Sequence, residues 1–159
     1  MHEIVDFQNI EKFINRLRKK YPGSKIAFTN GCFDLIHRGH VAYLESAKKM
    51  ADFLVLGLNS DDSVRRLKGD ERPFINQDDR AFILSRLEAV DVVCIFEQDT
   101  PLELIKKVKP DFLIKGGDYQ LTEIVGREVV EQNGGKVLTV PLIDGRSTTN
   151  LVKKIKNQK

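Results

Sequence analysis

Thr29-Asn30-Gly31-Cys32-Phe33-Asp34-Leu35-Ile36-His37-Arg38-Gly39-His40 joins a short apolar run, Lys25 to Thr29, to a segment expected to be helical from about His40 to Met50. A strand that feeds a glycine-bearing turn and then a helix is the opening of a β-α-β unit. The same alternation continues outward. Phe53 to Asn59 is apolar at nearly every position, as a strand covered on both faces must be. Ser60-Asp61-Asp62 caps the next helix, Lys68 to Asn76 reads as an exposed loop, and Asp78 to Glu88 reads as helical. Val90 to Phe96, Phe112 to Ile114 and Lys136 to Val140 supply further strands. Helices near Pro101 to Val108 and Glu123 to Gln132 separate them, and Asn133-Gly134-Gly135 stops the second. At the front, Phe7, Ile10, Phe13, Ile14 and Leu17 recur at helical spacing until Tyr21-Pro22-Gly23. A last helix starts at Ser147 and ends among lysines, which suit the negative pole of its dipole.

Five strand candidates alternating with helices predict an α/β fold: a Rossmann-like open five-stranded parallel sheet with helices on both faces. Residues 1–24 are expected as an N-terminal helix and 25–156 as the core of one domain spanning 1–159. Ligands of such sheets bind beyond the carboxyl ends of the strands, so the loops after Thr29, Leu58, Phe96, Ile114 and Val140 should hold the site. The composition, 41% hydrophobic and 31% charged over 159 residues, suits one compact domain. A net charge of +3 is too mild to argue for a nucleic-acid partner, and Arg16, Arg18, Lys19 and Lys20 read as a solvated helix face. No apolar run approaches the roughly 20 residues of a membrane span, and the N-terminus lacks a signal-peptide pattern, so a cytoplasmic protein is expected. Cys32 and Cys94 lie far apart with no C-x-x-C, which gives no reason to expect a zinc site.

Two of the three histidines, His37 and His40, stand three positions apart at the start of a helix, with Gly39 between them. A helix N-terminus offers free N–H groups and a positive dipole end, both favourable to phosphate, and two imidazoles add donors that can follow charge as it develops on phosphorus. A plain capping role for one histidine, packing for the other, or a metal pair are the competing readings. The metal reading lacks a third ligand nearby. Gly145-Arg146-Ser147-Thr148-Thr149 is a second such start: Ser147 alone suffices as a cap, and consecutive threonines are poor helix formers, so a ligand explains them better. Lys115-Gly116-Gly117-Asp118 follows an apolar strand, and its glycines allow either a plain turn or close approach of a substrate to the backbone.

The stretch T-N-G-C-F-D-L-I-H-R-G-H resembles the H-x-G-H nucleotidyltransferases. Leu58-Asn59-Ser60-Asp61, Arg66-Leu67-Lys68-Gly69, Arg72-Pro73, Glu97 with Asp99-Thr100-Pro101, Ile114 to Tyr119 and Gly145 to Thr149 look like one branch of them, the adenylyltransferase domain of ADP-heptose synthases. The resemblance implies attack of D-glycero-β-D-manno-heptose 1-phosphate on the α-phosphorus of ATP, giving ADP-heptose and pyrophosphate for lipopolysaccharide core or another heptose glycan. It implies Mg²⁺ arriving with ATP, no protein-held metal, and a homodimer. Relatives often carry a fused sugar kinase; here the domain is expected to stand alone, with a separate kinase in the cell.

By the same resemblance His37, His40 and Lys68 are catalytic, Lys68 on a mobile loop hinged at Gly69. Asn30, Gly31, Cys32, Phe33, Gly39, Asn59, Arg146, Ser147, Thr148 and Thr149 are expected to bind nucleotide. Asp34, Arg80, Glu97, Thr100, Lys115, Gly116, Gly117 and Asp118 are expected at the second substrate, with Asp34 bracing the turn and orienting His37. Against each stands a bland alternative: a solvated loop charge for Lys68, an exposed helix arginine for Arg80. Cytidylyltransferases of the superfamily read R-T-x-G-I-S-T-T, whereas Leu142 and Arg146 stand at the Arg and Ile positions here. A cytidylyltransferase for glycerol or ethanolamine phosphate, an FAD synthetase-type adenylyltransferase and a non-catalytic nucleotide-sensing module are the other readings.

Overall fold

The computed structural model describes residues 1–117 and 119–158. Its elements run β1 (Glu3–Ile4), α1 (Ile10–Lys20), β2 (Ile26–Gly31), α2 (Arg38–Lys48), β3 (Phe53–Asn59), α3 (Asp61–Lys68), α4 (Gln77–Ser85), β4 (Val92–Phe96), α5 (Leu102–Val108), β5 (Phe112–Gly116), α6 (Arg127–Gln132), β6 (Lys136–Val140) and α7 (Thr148–Lys156). The strands form one sheet in the order β1-β4-β3-β2-β5-β6, and every pairing is parallel.

The expected sheet thus has six strands rather than five. The extra one, β1, pairs Glu3 with Val92 and Ile4 with Val93 at the edge. Two residues are too short to show a period of two, and their partner lies some ninety positions away. The helix expected over Glu123 to Gln132 is also shorter: Leu121–Glu123 is a single 3-10 turn, and α6 begins only after Gly126.

Strand side chains alternate between two apolar layers, the period that parallel strands covered on both faces require. Ile26, Phe28, Val55, Val92, Cys94 and Leu113 meet α1, α5 and α6 through Ile10, Ile14, Leu17, Leu104, Ile105, Val108 and Val130. Ala27, Leu54, Leu56, Leu58, Val93 and Ile114 meet α2 and α4 through Leu44, Ala47, Ala81 and Leu84. The chain leaves β2 toward β3 on one side and reaches β5 on the other, so the direction of winding reverses between β2 and β5. Crossovers depart to opposite faces there, which opens a crevice beyond the two carboxyl ends. Tyr43 of α2 ties the strands at that point: its hydroxyl lies 2.8 Å from Thr29 Oγ1 and donates to the Ile114 carbonyl at 3.1 Å.

Candidate active site

The crevice holds two adjoining cavities. One, of about 320 Å³, has Phe33, Tyr43, Tyr119, Leu142, Ile143 and Arg146 in its wall together with His37. The other, of about 450 Å³, is more polar and is lined by Asp34, Asn59, Leu67, Lys68, Arg72, Asp99 and Thr149. Asn30 to Phe33, His40, Lys115, Tyr119 and Thr148 belong to both and form the divide.

His37 is the N-cap of α2. Its Nδ1 accepts the amide of Gly39 at 3.1 Å, and its own amide donates to His40 Nδ1 at 3.3 Å. This is the reciprocal geometry of a capping box built from two histidines. Because both Nδ1 atoms accept, each neutral ring carries its proton on Nε2. The rings stack with centroids 3.9 Å apart. His37 Nε2 is buried, and among the described residues it is the one buried side-chain polar atom without a partner. An orphan donor costs about 1–3 kcal/mol and persists where a ligand completes it. Burial, and then the neighbouring His37, pull His40 down to about 4. Burial and then Arg146 lower His37. Both rings are therefore neutral donors at physiological pH.

Gly39 has a packing reason. A Cβ there would lie 2.9 Å from His37 Cε1 and 3.0 Å from Arg146 Cβ, so the residue lets the histidine ring and the loop before α7 close on each other. Across the crevice Ser147 caps α7, accepting the Asn150 amide at 3.1 Å, while Thr148 donates to the Leu35 carbonyl at 3.3 Å. Two helix N-termini thus converge on the cavity wall, and their free amides suit phosphate.

Lys115, at the end of β5, donates to the side-chain oxygen of Asn30 and lies 5.5 Å from the centre of the Tyr119 ring. Burial pulls its ammonium down to about 8. Lys68 ends α3 on the exposed rim, and Gly69, at φ 100°, follows in a conformation that favours glycine. Burial raises the Cys32 thiol although Lys68, Arg80 and Arg72 stand near, which makes it a poor nucleophile.

Several expected residues have other surroundings. Arg80 is fully buried and donates to the carbonyls of Ile75, Cys32 and Asn59 and to Asp61, at 2.7 to 2.9 Å. It pins the turn after β2 to the end of β3 and lines neither cavity. Asp34 touches no histidine: its carboxylate accepts Arg72 Nε at 2.7 Å and the amides of Phe74 and Ile75 at 2.9 and 3.0 Å. Asn59 donates to Ser63 at 2.9 Å. Glu97 and Thr100 are exposed outside both cavities, and Gly117 joins β5 to β6 through the Val140 carbonyl at 2.8 Å. Asp118 lies outside the described residues. Of the other lining residues, sequence reasoning quoted Leu67, Arg72, Asp99, Tyr119 and Leu142 in motifs without giving them a role, and passed over Tyr43 and Ile143. Tyr43 had a signal, since it follows His40 by three positions on one helix.

A cytidylyltransferase-like family model matches residues 28–154. Among curated relatives, the bifunctional protein HldE of Geobacter sulfurreducens is 57% identical over 137 residues, covering 86% of this chain and 28% of the relative. That of Aliarcobacter butzleri is 52% identical over 152 residues, covering 96% of this chain and 31% of the relative. The chain spans about three tenths of the length of these relatives. The crystal structure of a lipopolysaccharide core biosynthesis protein from Thermoplasma volcanium superposes with a TM-score of 0.63 at 28% identity, covering 76% of this chain and 98% of that one.

Proposed function

Because the chain belongs to the cytidylyltransferase-like family, we propose that it is a sugar-phosphate adenylyltransferase joining ATP and D-glycero-β-D-manno-heptose 1-phosphate into ADP-heptose and pyrophosphate. The observation that carries the reading is the buried, unpartnered Nε2 of His37, stacked on His40 at the divide between two cavities. The HldE relatives and the adenylyltransferase motifs support the heptose substrate.

A phosphate monoester has its second pKa near 6, so the sugar phosphate is largely dianionic at neutral pH and needs no general base. Its oxygen attacks the α-phosphorus, the bond to the β-phosphate oxygen breaks, and pyrophosphate leaves with the electron pair. Charge grows on the α-phosphoryl oxygens and the leaving group. His37 and His40 meet it as Nε2–H donors, fixed in advance by their reciprocal caps. The amides opening α2 and α7 face the polyphosphate, and Lys68 closes over it from the Gly69 hinge. The apolar cavity of Leu142, Ile143 and Tyr119 takes the adenosine, and the polar cavity beyond Lys115 takes the sugar phosphate.

Among the described residues no three His, Cys, Asp or Glu side chains gather into a cation cage, and Asp34 is engaged with Arg72. Mg²⁺ belongs to this reading as the counter-ion that ATP brings, held largely by the phosphates and water. No described helix is long and apolar enough to cross a membrane. A cytoplasmic location and a homodimer complete the proposal. Pyrophosphate release from ATP and the heptose phosphate tests it, and absence of turnover with every nucleotide would favour a nucleotide-sensing module.

A further inference from the structure

Arg72-Pro73 is a conspicuous pair in the sequence with no part in the reaction above. The structure puts Arg72 in the wall of the polar cavity, which it shares with Lys68 and Lys115, and away from the cavity of His37 and Arg146. Its Nε donates to Asp34 at 2.7 Å, the one side-chain hydrogen bond Arg72 makes among the described residues. The Asp34 side chain is 1% exposed and is held in turn by the amides of Phe74 and Ile75. Both Asp34 oxygens are buried and engaged by donors of the protein itself. The bond to Asp34 anchors the guanidinium at Nε, its Cζ lies 5.0 Å from the centre of the Phe74 ring, and the Nη groups have no hydrogen-bond partner among the described residues. A guanidinium so fixed is prepared for bidentate binding of phosphate.

We propose that Arg72 binds the phosphate of the acceptor substrate, a phosphate monoester dianion, and that Asp34 is its positioning residue. The assignment to the acceptor rests on the adenylyltransferase reading; the phosphate site itself does not. Arg72 is absent from the cavity of His37 and Arg146, whereas Thr148 and Thr149 at the start of α7 reach the polar cavity as well, so the split between KM for ATP and KM for the sugar phosphate tells the acceptor phosphate from the polyphosphate. Asp34 keeps the guanidinium in register, so its removal mislays a donor without removing the charge.

The kinetic test compares wild type with Arg72→Gln, Arg72→Lys and Asp34→Asn, each first checked for an unchanged melting temperature. Arg72→Gln should raise KM for the sugar phosphate about tenfold or more and leave KM for ATP within about twofold. Arg72→Lys, which keeps the charge and loses the fork, should recover only part. Asp34→Asn should shift the same KM, and the double variant should be no worse than Arg72→Gln alone, because both act on one contact. Should Asp34→Asn fail to fold, the two Arg72 variants still decide. An unchanged KM for the sugar phosphate, or a rise confined to ATP, overturns the inference. Inorganic phosphate, titrated calorimetrically with a non-hydrolysable ATP analogue bound, reads the site without turnover. Binding to wild type that weakens about tenfold in Arg72→Gln supports it even if the heptose substrate is wrong. No binding to wild type, or equal binding to both, overturns it.

Discussion

Gly39→Ala separates the catalytic reason for a residue from its contribution to the fold. Gly39 is the second residue of α2, where an alanine fits the helical backbone and gains up to about 1 kcal/mol of propensity. Its new Cβ would sit 2.9 Å from His37 Cε1 and 3.0 Å from His37 Nδ1, against an ordinary contact beyond 3.4 Å. The imidazole must yield by several tenths of an ångström, and an off-rotamer side chain costs about 0.5–1.5 kcal/mol. These opposing terms leave stability within about 1 kcal/mol of wild type, or about 2–4 °C in Tm for a domain of this size. The displaced ring loses its bond from the Gly39 amide and the aim of Nε2. Loss of one such donor costs about 10²–10³ in kcat. The assay is pyrophosphate release at saturating substrates beside a thermal melt. A kcat within about threefold of wild type would falsify the packing argument, and so would inactivity accompanied by a Tm drop beyond about 10 °C.

His40→Ala should lower kcat about 100-fold or more while ATP affinity, measured by calorimetry, stays nearly constant, because its donor acts on charge that develops only in the transition state. An affinity loss with unchanged kcat contradicts that role. In the intact protein the His40 imidazole should remain neutral at pH 6 by nitrogen-detected NMR and titrate near 4. Since its folded value lies below the unfolded value of 6.5, the associated stability is complete above pH 6.5 and declines as pH falls from 6.5 through 4. Lys68→Ala should raise KM for ATP and slow turnover, since the loop both binds and closes; equal kinetics for mutant and wild type would remove the lid. Lys115 loses its charge as pH rises through about 8, so KM for the sugar phosphate should climb above that pH in wild type and be flat in Lys115→Ala.

Long, periodic elements were legible in the sequence: β2 to β6 and the helices between them stand within a few residues of their expected places. What escaped was short or depended on distant partners. β1 is two residues long and gains its meaning only from Val92 and Val93. The placing of the expected residues around one crevice was legible where a motif sits on a strand end or a helix start. In His37 and His40 the capping reading and the donor reading are compatible: Nδ1 faces the backbone, and in His37 Nε2 is left without a partner. Arg80 and Asp34 show the opposite case. The resemblance placed them at the substrate, but Arg80 is held by carbonyls and Asp61, and Asp34 by amides and Arg72, of residues up to forty-eight positions away, which no local pattern reveals. Leu142 and Arg146 were visible as departures from a motif, and their place in the cavity wall, with Ile143 beside them, followed only from the turn between β6 and α7.

Pyrophosphate release with Mg²⁺, measured for ATP and CTP each against D-glycero-β-D-manno-heptose 1-phosphate, glycerol 3-phosphate and FMN, bears most directly on the central claim. The account predicts turnover with ATP and the heptose phosphate and little with any other pair. Release from CTP and glycerol 3-phosphate, with none from ATP and the heptose phosphate, contradicts it.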